Sequence, residues 1–183
     1  MKINAIIVLY NPKDEFLSHY EEMSSFFDTV FFIDNSTNPN EWLIKELKKV
    51  KNFKHISLGE NRGISFALNE GMNEAIKDNP DYILTMDQDS RFPVERMDDI
   101  KDILEKNLDS KFGIISVNYN SEENEFNLRE VPWWITSGNF INVKAYKSLP
   151  QGFNVDLFID AVDQDFCHSF IKAGYKIGVI PGI

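Results

Sequence analysis

Asp87 directly follows an apolar run, residues 82–86, and a single residue, Gln88, separates it from Asp89. In extended backbone, residues i and i+2 point to the same side, so both carboxylates can approach one hard divalent cation such as Mg²⁺ or Mn²⁺. A cation held in this way would bridge a diphosphate and stabilise it as it leaves. The same residues also fit a polar turn in which Asp89 or Ser90 caps the next helix.

Two further polar segments follow predicted strands. Asp34-Asn35-Ser36 comes after the apolar run 30–33, and it could bind a base or ribose or form a plain Asx turn. Asn61-Arg62-Gly63 precedes the clearest helix, whose start is a natural anion site, and Gly63 indicates positive φ or close backbone approach. The segment lacks both the Gly-x-Gly-x-x-Gly fingerprint and the P-loop pattern, which disfavours a dehydrogenase or a P-loop NTPase.

A third group of polar residues lies nearer the end of the chain. Asp160, Asp163 and Asp165 surround the start of a predicted helix, where acidic residues are favoured by the helix dipole. In a functional interpretation, one of them is a general base within hydrogen-bond reach of an acceptor hydroxyl, and the residues alone do not choose among the three. Trp133 and Trp134 fit equally a packed core edge or a wall that stacks on a sugar ring.

The elements that must position these residues alternate along the chain. Apolar runs predict strands at 5–9, 30–33, 55–58, 82–86, 112–117 and 175–180. Helical spacing predicts helices containing residues 16–27, 42–50, 64–76, 97–104, 144–149 and 162–170, with Gly174 as a C-cap. Residues 118–129 are predicted to form a loop. The pattern predicts an α/β domain with a mostly parallel sheet and helices on both faces, in which ligands bind at the carboxyl ends of the strands.

Composition narrows the function classes. The 183 residues carry a formal net charge of −10, which disfavours nucleic acid as a partner because phosphate binding needs a basic surface. The one cysteine, Cys167, excludes an internal disulfide framework and a cysteine-rich zinc site. No apolar run approaches the roughly 20 residues that cross a bilayer, and we expect a cytoplasmic protein.

Taken together, these segments resemble the family 2 glycosyltransferases of GT-A fold, particularly their bacterial rhamnosyltransferase-like branch. The resemblance covers nearly the whole chain in order. It rests on residues 8–11 after the first strand, 33–36 after the second, Asn61-Arg62-Gly63 with Ala67, Asn69 and Gly71, Asp87-Gln88-Asp89-Ser90, Thr136-Ser137-Gly138, and 158–163. Two positions depart from the family pattern: Val162 stands where Glu commonly precedes the base, as in the rhamnosyl-type branch, and Ser169 stands where a basic residue is usual.

The resemblance implies a role for each part of the site. Asp163 would be the catalytic base, and Asp87 and Asp89 would bind Mn²⁺ or Mg²⁺. The residues implied to bind the nucleotide-sugar are Tyr10, Asn11, Asp34, Asn61, Gly63, Asp87 and Gln88. Those expected on the acceptor side are Trp133, Trp134 and Asp160.

The implied function is inverting transfer of a rhamnose-like or other hexose from a UDP- or dTDP-sugar to a saccharide or lipid-linked acceptor, in bacterial cell-surface polysaccharide synthesis. We expect residues 1–183 to form a single GT-A domain that lacks a C-terminal extension, through which family members associate peripherally with the inner face of the membrane. Two alternatives remain: a nucleotidyltransferase on a related sheet, and a non-catalytic nucleotide-sugar-binding module.

Overall fold

The fold is built on one eight-stranded sheet. The computed structural model describes residues 1–13, 16–17, 20, 24–118 and 127–181. The strands are β1 (Ile3–Leu9), β2 (Thr29–Asp34), β3 (Phe53–Ser57), β4 (Tyr82–Asp87), β5 (Phe112–Val117), β6 (Arg129–Val131), β7 (Asn139–Asn142) and β8 (Lys176–Ile180). Their order across the sheet is β3-β2-β1-β4-β7-β5-β8-β6.

Most strands run in one direction, which confirms the predicted mostly parallel sheet. β1 is parallel to its neighbours β2 and β4, β2 is parallel to β3, and β5 is parallel to β8. β7 lies antiparallel between β4 and β5, and β6 is antiparallel to β8. β1 to β5 therefore end at the same edge of the sheet, and β7 begins there.

Helices cover both faces of the sheet, as predicted. They are α1 (Glu41–Leu47), α2 (Ile64–Ala75), α3 (Met97–Lys106), α4 (Val143–Tyr146) and α5 (Val162–Lys172). Buried residues of α1 and α3 pack on one face, and those of α2, α4 and α5 pack on the other. β1 feeds both cores because successive side chains alternate: Ile7 joins the first and Ile6 the second.

Several element boundaries differ from the prediction. β3 begins two residues earlier than expected, at Phe53, and α4 ends at Tyr146. The predicted loop at 118–129 is wrong at its last residue, because Arg129 begins the edge strand β6. Residues 119–126 of that loop lie outside the described part. Within the predicted helix at 16–27, residues 16, 17, 20 and 24 are helical, and residues 18–19 and 21–23 lie outside the described part. Gly174 follows α5 with φ of 88°, as a C-cap glycine should.

None of the helices in the described ranges has the length and apolar character of a membrane span.

Candidate active site

A cavity of about 570 Å³ opens at the carboxyl edge of the sheet. The register of the strands creates it: Leu9 pairs with Asp34 on β2, and Val8 pairs with Asp87 on β4, so the strand ends meet side by side. Its walls are formed by Val8, Tyr10, Asn35, Asn61, Gly63, Ile64, Asp87, Gln88, Asp89, Ile135, Thr136, Phe158, Ile159, Val162 and Asp163. Seven of the predicted site residues line this one cavity: Tyr10, Asn61, Gly63, Asp87, Gln88, Asp89 and Asp163.

Three carboxylates, Asp87, Asp89 and Asp163, form an acidic group in the cavity wall. The pKa of Asp87 is raised from its usual 3.8 to about 6, firstly by burial and then by the negative charges of Asp89 and Asp163. The Asp87 residue as a whole is exposed, but the cavity walls take its carboxyl group partly out of bulk water. The raised pKa shows that residues far apart in sequence act on one another electrostatically here. Asp160 and Asp165, the other candidates for the base, do not line the cavity.

Asp163 is held by the segment that precedes β7. The backbone N–H of Thr136 donates to Asp163 Oδ1 at 3.0 Å, and the Thr136 hydroxyl donates to the same oxygen. The next residue contacts the other side of the site: the Asp87 backbone N–H donates to Ser137 Oγ at 3.1 Å. The segment therefore touches both ends of the acidic group.

Gln88 joins the ends of β1 and β4. Its Oε1 accepts from the Tyr10 backbone N–H at 2.9 Å, and its Nε2 donates to the Tyr10 carbonyl at 3.0 Å. Both ends of the amide are thus bonded to the protein. Gln88 fixes the position of Tyr10, whose side chain is half exposed at the cavity.

The Asn61-Arg62-Gly63 turn is held by Asn35. Asn35 Nδ2 donates to Asn61 Oδ1 at 3.0 Å, and Asn35 Oδ1 accepts from the Arg62 N–H at 2.8 Å. Gly63 has φ of 83°, as predicted, and a Cβ there would lie 2.8 Å from the Phe158 carbonyl oxygen. At the start of α2, where the sequence indicated an anion site, the first helical N–H, that of Ile64, donates to Phe158 O at 2.8 Å and is not available to an anion.

Asp34 and Asn11 share the strand edge but do not line the cavity. Asp34 is fully buried; its Oδ2 lies 3.3 Å from His55 Nε2, and its Oδ1 accepts from the Ser36 N–H at 3.0 Å. Burial raises the pKa of Asp34, but the bonds to His55 and Ser36 outweigh it and leave the pKa lowered. The Asn11 N–H donates to Ser36 Oγ at 2.7 Å. Since Ser36 is bonded to Asp34, Asp34 supports the loop after β1 through Ser36.

An apolar rim, formed by Ile135, Phe158 and Ile159, also borders the cavity. These side chains are 47%, 55% and 68% exposed, yet all three line the cavity. Sequence reasoning missed them. The signals available were the apolar run Leu157-Phe158-Ile159 between two aspartates and an Ile next to two tryptophans. Trp133, Trp134 and Asp160, predicted on the acceptor side, lie outside the cavity wall.

The segment that carries Phe158 is fixed by backbone groups. Asn69 Nδ2 donates to the Phe153 carbonyl at 2.7 Å, and Asn69 Oδ1 accepts from the Phe153 N–H at 2.8 Å. The Ser65 hydroxyl donates to the Leu157 carbonyl at 2.7 Å. The part of the apolar rim that Phe158 and Ile159 form is therefore held in place although both residues are exposed to solvent.

Comparison with known proteins identifies the class of this domain. Residues 5–166 match the sequence pattern of Glycosyl transferase family 2. The chain belongs to that family. It is 24% identical over 204 residues to the dTDP-rhamnosyl transferase RfbF of Shigella flexneri, a match that covers 99% of this chain and 67% of RfbF. It is a rhamnosyltransferase-like glycosyltransferase domain.

A solved structure shares the fold of this glycosyltransferase domain. The crystal structure of GalNAc-T7 with UDP, GalNAc and Mn²⁺ matches with a TM-score of 0.81 at 12% sequence identity. The match covers 99% of this chain and 42% of GalNAc-T7, so the chain spans less than half the length of that protein. At this identity the likeness shows the fold, which is GT-A.

The acidic group of this glycosyltransferase domain has the chemistry to hold part of a metal site. Among the described residues, no group of three or more His, Cys, Asp or Glu side chains is arranged to hold a metal ion. One or two carboxylates are what Mg²⁺ usually takes from a protein when substrate phosphates complete its shell. Asp87 and Asp89 supply that number of hard oxygen donors, and the negative charges of Asp89 and Asp163, which add to the effect of burial in raising the pKa of Asp87, would attract a cation.

Proposed function

We propose that this domain transfers a sugar, with inversion, from a dTDP- or UDP-sugar to a saccharide or lipid-linked saccharide acceptor. Asp163 is the base in this proposal, and Asp87 with Asp89 binds Mn²⁺ or Mg²⁺. The observation that carries it is the gathering of these three carboxylates in one cavity with a raised Asp87 pKa. The name of RfbF supports dTDP-rhamnose as the donor. The ligands of GalNAc-T7 support UDP and Mn²⁺ as alternatives.

On the donor side, the charges of the cavity argue for a cation. The described residues in its wall include three Asp and no Lys, Arg or His, so this part of the wall offers no positive side chain to a diphosphate. Asp87 and Asp89 would hold a divalent cation, which would supply positive charge to the departing nucleotide. Tyr10, Asn35 and Asn61 border the ends of β1 and β2 and would contact the nucleoside. Asp34 and Asn11 would support that wall through Ser36.

On the acceptor side, Asp163 accepts a proton. As the acceptor oxygen attacks the anomeric carbon, its O–H proton passes to the free oxygen of Asp163, the new C–O bond forms, and the bond from that carbon to the donor phosphate oxygen breaks. Asp163 is the one of the three candidate aspartates that lines the cavity, which supports this assignment. The apolar rim would pack against the C–H face of the acceptor sugar. Trp133, Trp134 and Asp160 lie outside the cavity wall and stay predictions for a larger acceptor.

A setting in bacterial cell-surface polysaccharide synthesis, on the cytoplasmic side of the membrane, rests on the family resemblance and stays a prediction.

Titration calorimetry with dTDP and UDP, each with and without Mn²⁺, tests the donor side. We expect Mn²⁺-dependent binding of at least one nucleotide, weakened at least tenfold in Asp89→Asn. Asp102→Asn, which removes an exposed carboxylate of α3, should bind like the wild type. Failure of both nucleotides to bind, with and without metal, would contradict the proposal.

Hydrolysis and transfer assays test the acceptor side. In Asp163→Asn, release of nucleoside diphosphate from dTDP-rhamnose or the UDP-sugars should fall by about 100-fold or more, while nucleotide binding stays within about twofold. Unchanged turnover in this variant would exclude Asp163 as the base. Nucleotide binding by the wild type without any turnover would favour the non-catalytic binding module.

A further inference from the structure

The segment Thr136-Ser137-Gly138 is anchored between two strands. Gly138 N–H donates to the Thr85 carbonyl on β4 at 2.8 Å, and the Gly138 carbonyl accepts from Val117 N–H at the end of β5 at 3.1 Å. The Thr85 hydroxyl also donates to the Thr136 carbonyl at 2.8 Å. Thr136 and Ser137 are 8% and 3% exposed. Side chains carried by this segment therefore have little freedom to move.

Thr136 occupies one oxygen of the Asp163 carboxylate. Its backbone N–H and its hydroxyl both donate to Oδ1. In the described part of the chain, these are the hydrogen bonds that the structure shows to this carboxylate. The residue before α5, Ala161, is in the left-handed conformation with φ of 63° and gives the helix no side-chain cap. The orientation of Asp163 thus depends on Thr136 and leaves Oδ2 for another partner.

Ser137 performs the matching task on the donor side. Its Oγ accepts from the Asp87 N–H at 3.1 Å and donates to Ser90 Oγ at 2.7 Å. Residues 87–90 form a turn in which the Ser90 N–H donates to the Asp87 carbonyl at 3.2 Å. Two consecutive residues of one segment thus hold both parts of the site: Thr136 holds Asp163, and Ser137 holds the Asp87–Ser90 turn. The separation between base and donor-binding carboxylates is set by this segment.

We propose that Thr136 is a positioning residue: it fixes Asp163 so that Oδ2 receives the acceptor proton, in register with the donor held by the Asp87–Ser90 turn. This inference rests on the function proposed above. The hydroxyl is one of two donors to a charged oxygen, so its loss should lower kcat by about 10- to 100-fold. The donor-binding residues are untouched, so KM for the donor should stay within about twofold.

The test compares Thr136→Val, which keeps the shape but removes the hydroxyl, with Thr136→Ser, which keeps the hydroxyl. The measured quantity is kcat for release of nucleoside diphosphate from dTDP-rhamnose and from UDP-sugars with Mn²⁺, together with donor KM. We expect kcat to fall in Thr136→Val by the factor given above and to stay within about threefold of the wild-type value in Thr136→Ser. Adding Thr136→Val to Asp163→Asn should cause no further fall in kcat. Full turnover in Thr136→Val, or equal losses in both variants, would overturn the inference.

The two proposals fail in different ways. A wild-type protein that neither binds nor hydrolyses any of these donors refutes the proposed function. In that event a crystal structure of Thr136→Val still decides the positioning role. A displaced Asp163 carboxylate supports it, and a carboxylate in an unchanged position overturns it.

Discussion

Replacing Asp87 with Asn should make the metal-free protein more stable at neutral and higher pH. The pKa of Asp87 is raised from 3.8 to about 6 by burial and by the charges of Asp89 and Asp163. The folded state thus holds the Asp87 proton more tightly than the unfolded chain does. Its contribution to stability is complete below about pH 3.8 and is lost as pH rises through about 6.

The size of the effect follows from the same values. The gap between 3.8 and about 6 sets an upper limit of about 3 kcal/mol. Because Asp87 is exposed as a whole residue, solvent screening reduces this limit to roughly 1 kcal/mol. Asn carries no charge at any pH, so Asp87→Asn should gain about that amount at pH 8, or about 2–4 °C in Tm for a domain of this size.

Urea unfolding and calorimetry at pH 8 and at pH 4 measure the prediction. The gain should shrink to near zero at pH 4, and Mn²⁺ with dTDP or UDP should stabilise the wild type more than the variant. Asp102→Asn removes the same charge from the exposed side of α3 and should not show the gain. A variant no more stable than wild type at pH 8, or a gain of equal size at both pH values, would refute the electrostatic reasoning.

Three further changes test other contacts. Gly63→Ala places a Cβ 2.8 Å from Phe158 and should lower the free energy of unfolding by about 2 kcal/mol or more, measured in urea. Gly59→Ala, at φ of 75° with open space around it, should lose less and isolates the steric contact. Gln88→Ala removes both bonds to the backbone after β1 and should weaken dTDP or UDP binding about tenfold in calorimetry, with Tm little changed. Ile159→Ser, at a 68% exposed position, should raise KM for the acceptor in transfer assays and leave donor KM unaltered. Equal changes in both KM values would argue against the acceptor rim.

The strand edge was predictable because its signals are local. Continuous apolar runs mark strands covered on both faces, and the polar residue after each run marks its end. This places Asp34 and Asp87 correctly on one edge, in register with β1. Helix α2 was predictable for a similar reason, since its apolar residues repeat at helical spacing.

The parts that sequence reasoning missed depend on contacts between distant segments. Phe158 borders the cavity because its carbonyl accepts from the Ile64 N–H. The spacing of apolar residues along the sequence does not predict such a bond. Asp34 does not line the cavity; its carboxylate contacts His55 on the neighbouring strand β3 instead. The edge strand β6 has three residues, which is too short for a pattern of alternation to show.

Residues 153–158 are held in place by their main-chain groups, so their position depends little on which side chains they carry. The anchors are main-chain carbonyl and amide groups of Phe153, Leu157 and Phe158, which any amino acid except proline can provide. Substitutions at the exposed Phe158 and Ile159 should therefore leave the scaffold intact while they change the apolar surface of the cavity, which faces the acceptor in the proposed function. Under the proposed function, one backbone scaffold would in this way suit different acceptors, provided that residue 63 stays Gly and allows the close approach of Phe158.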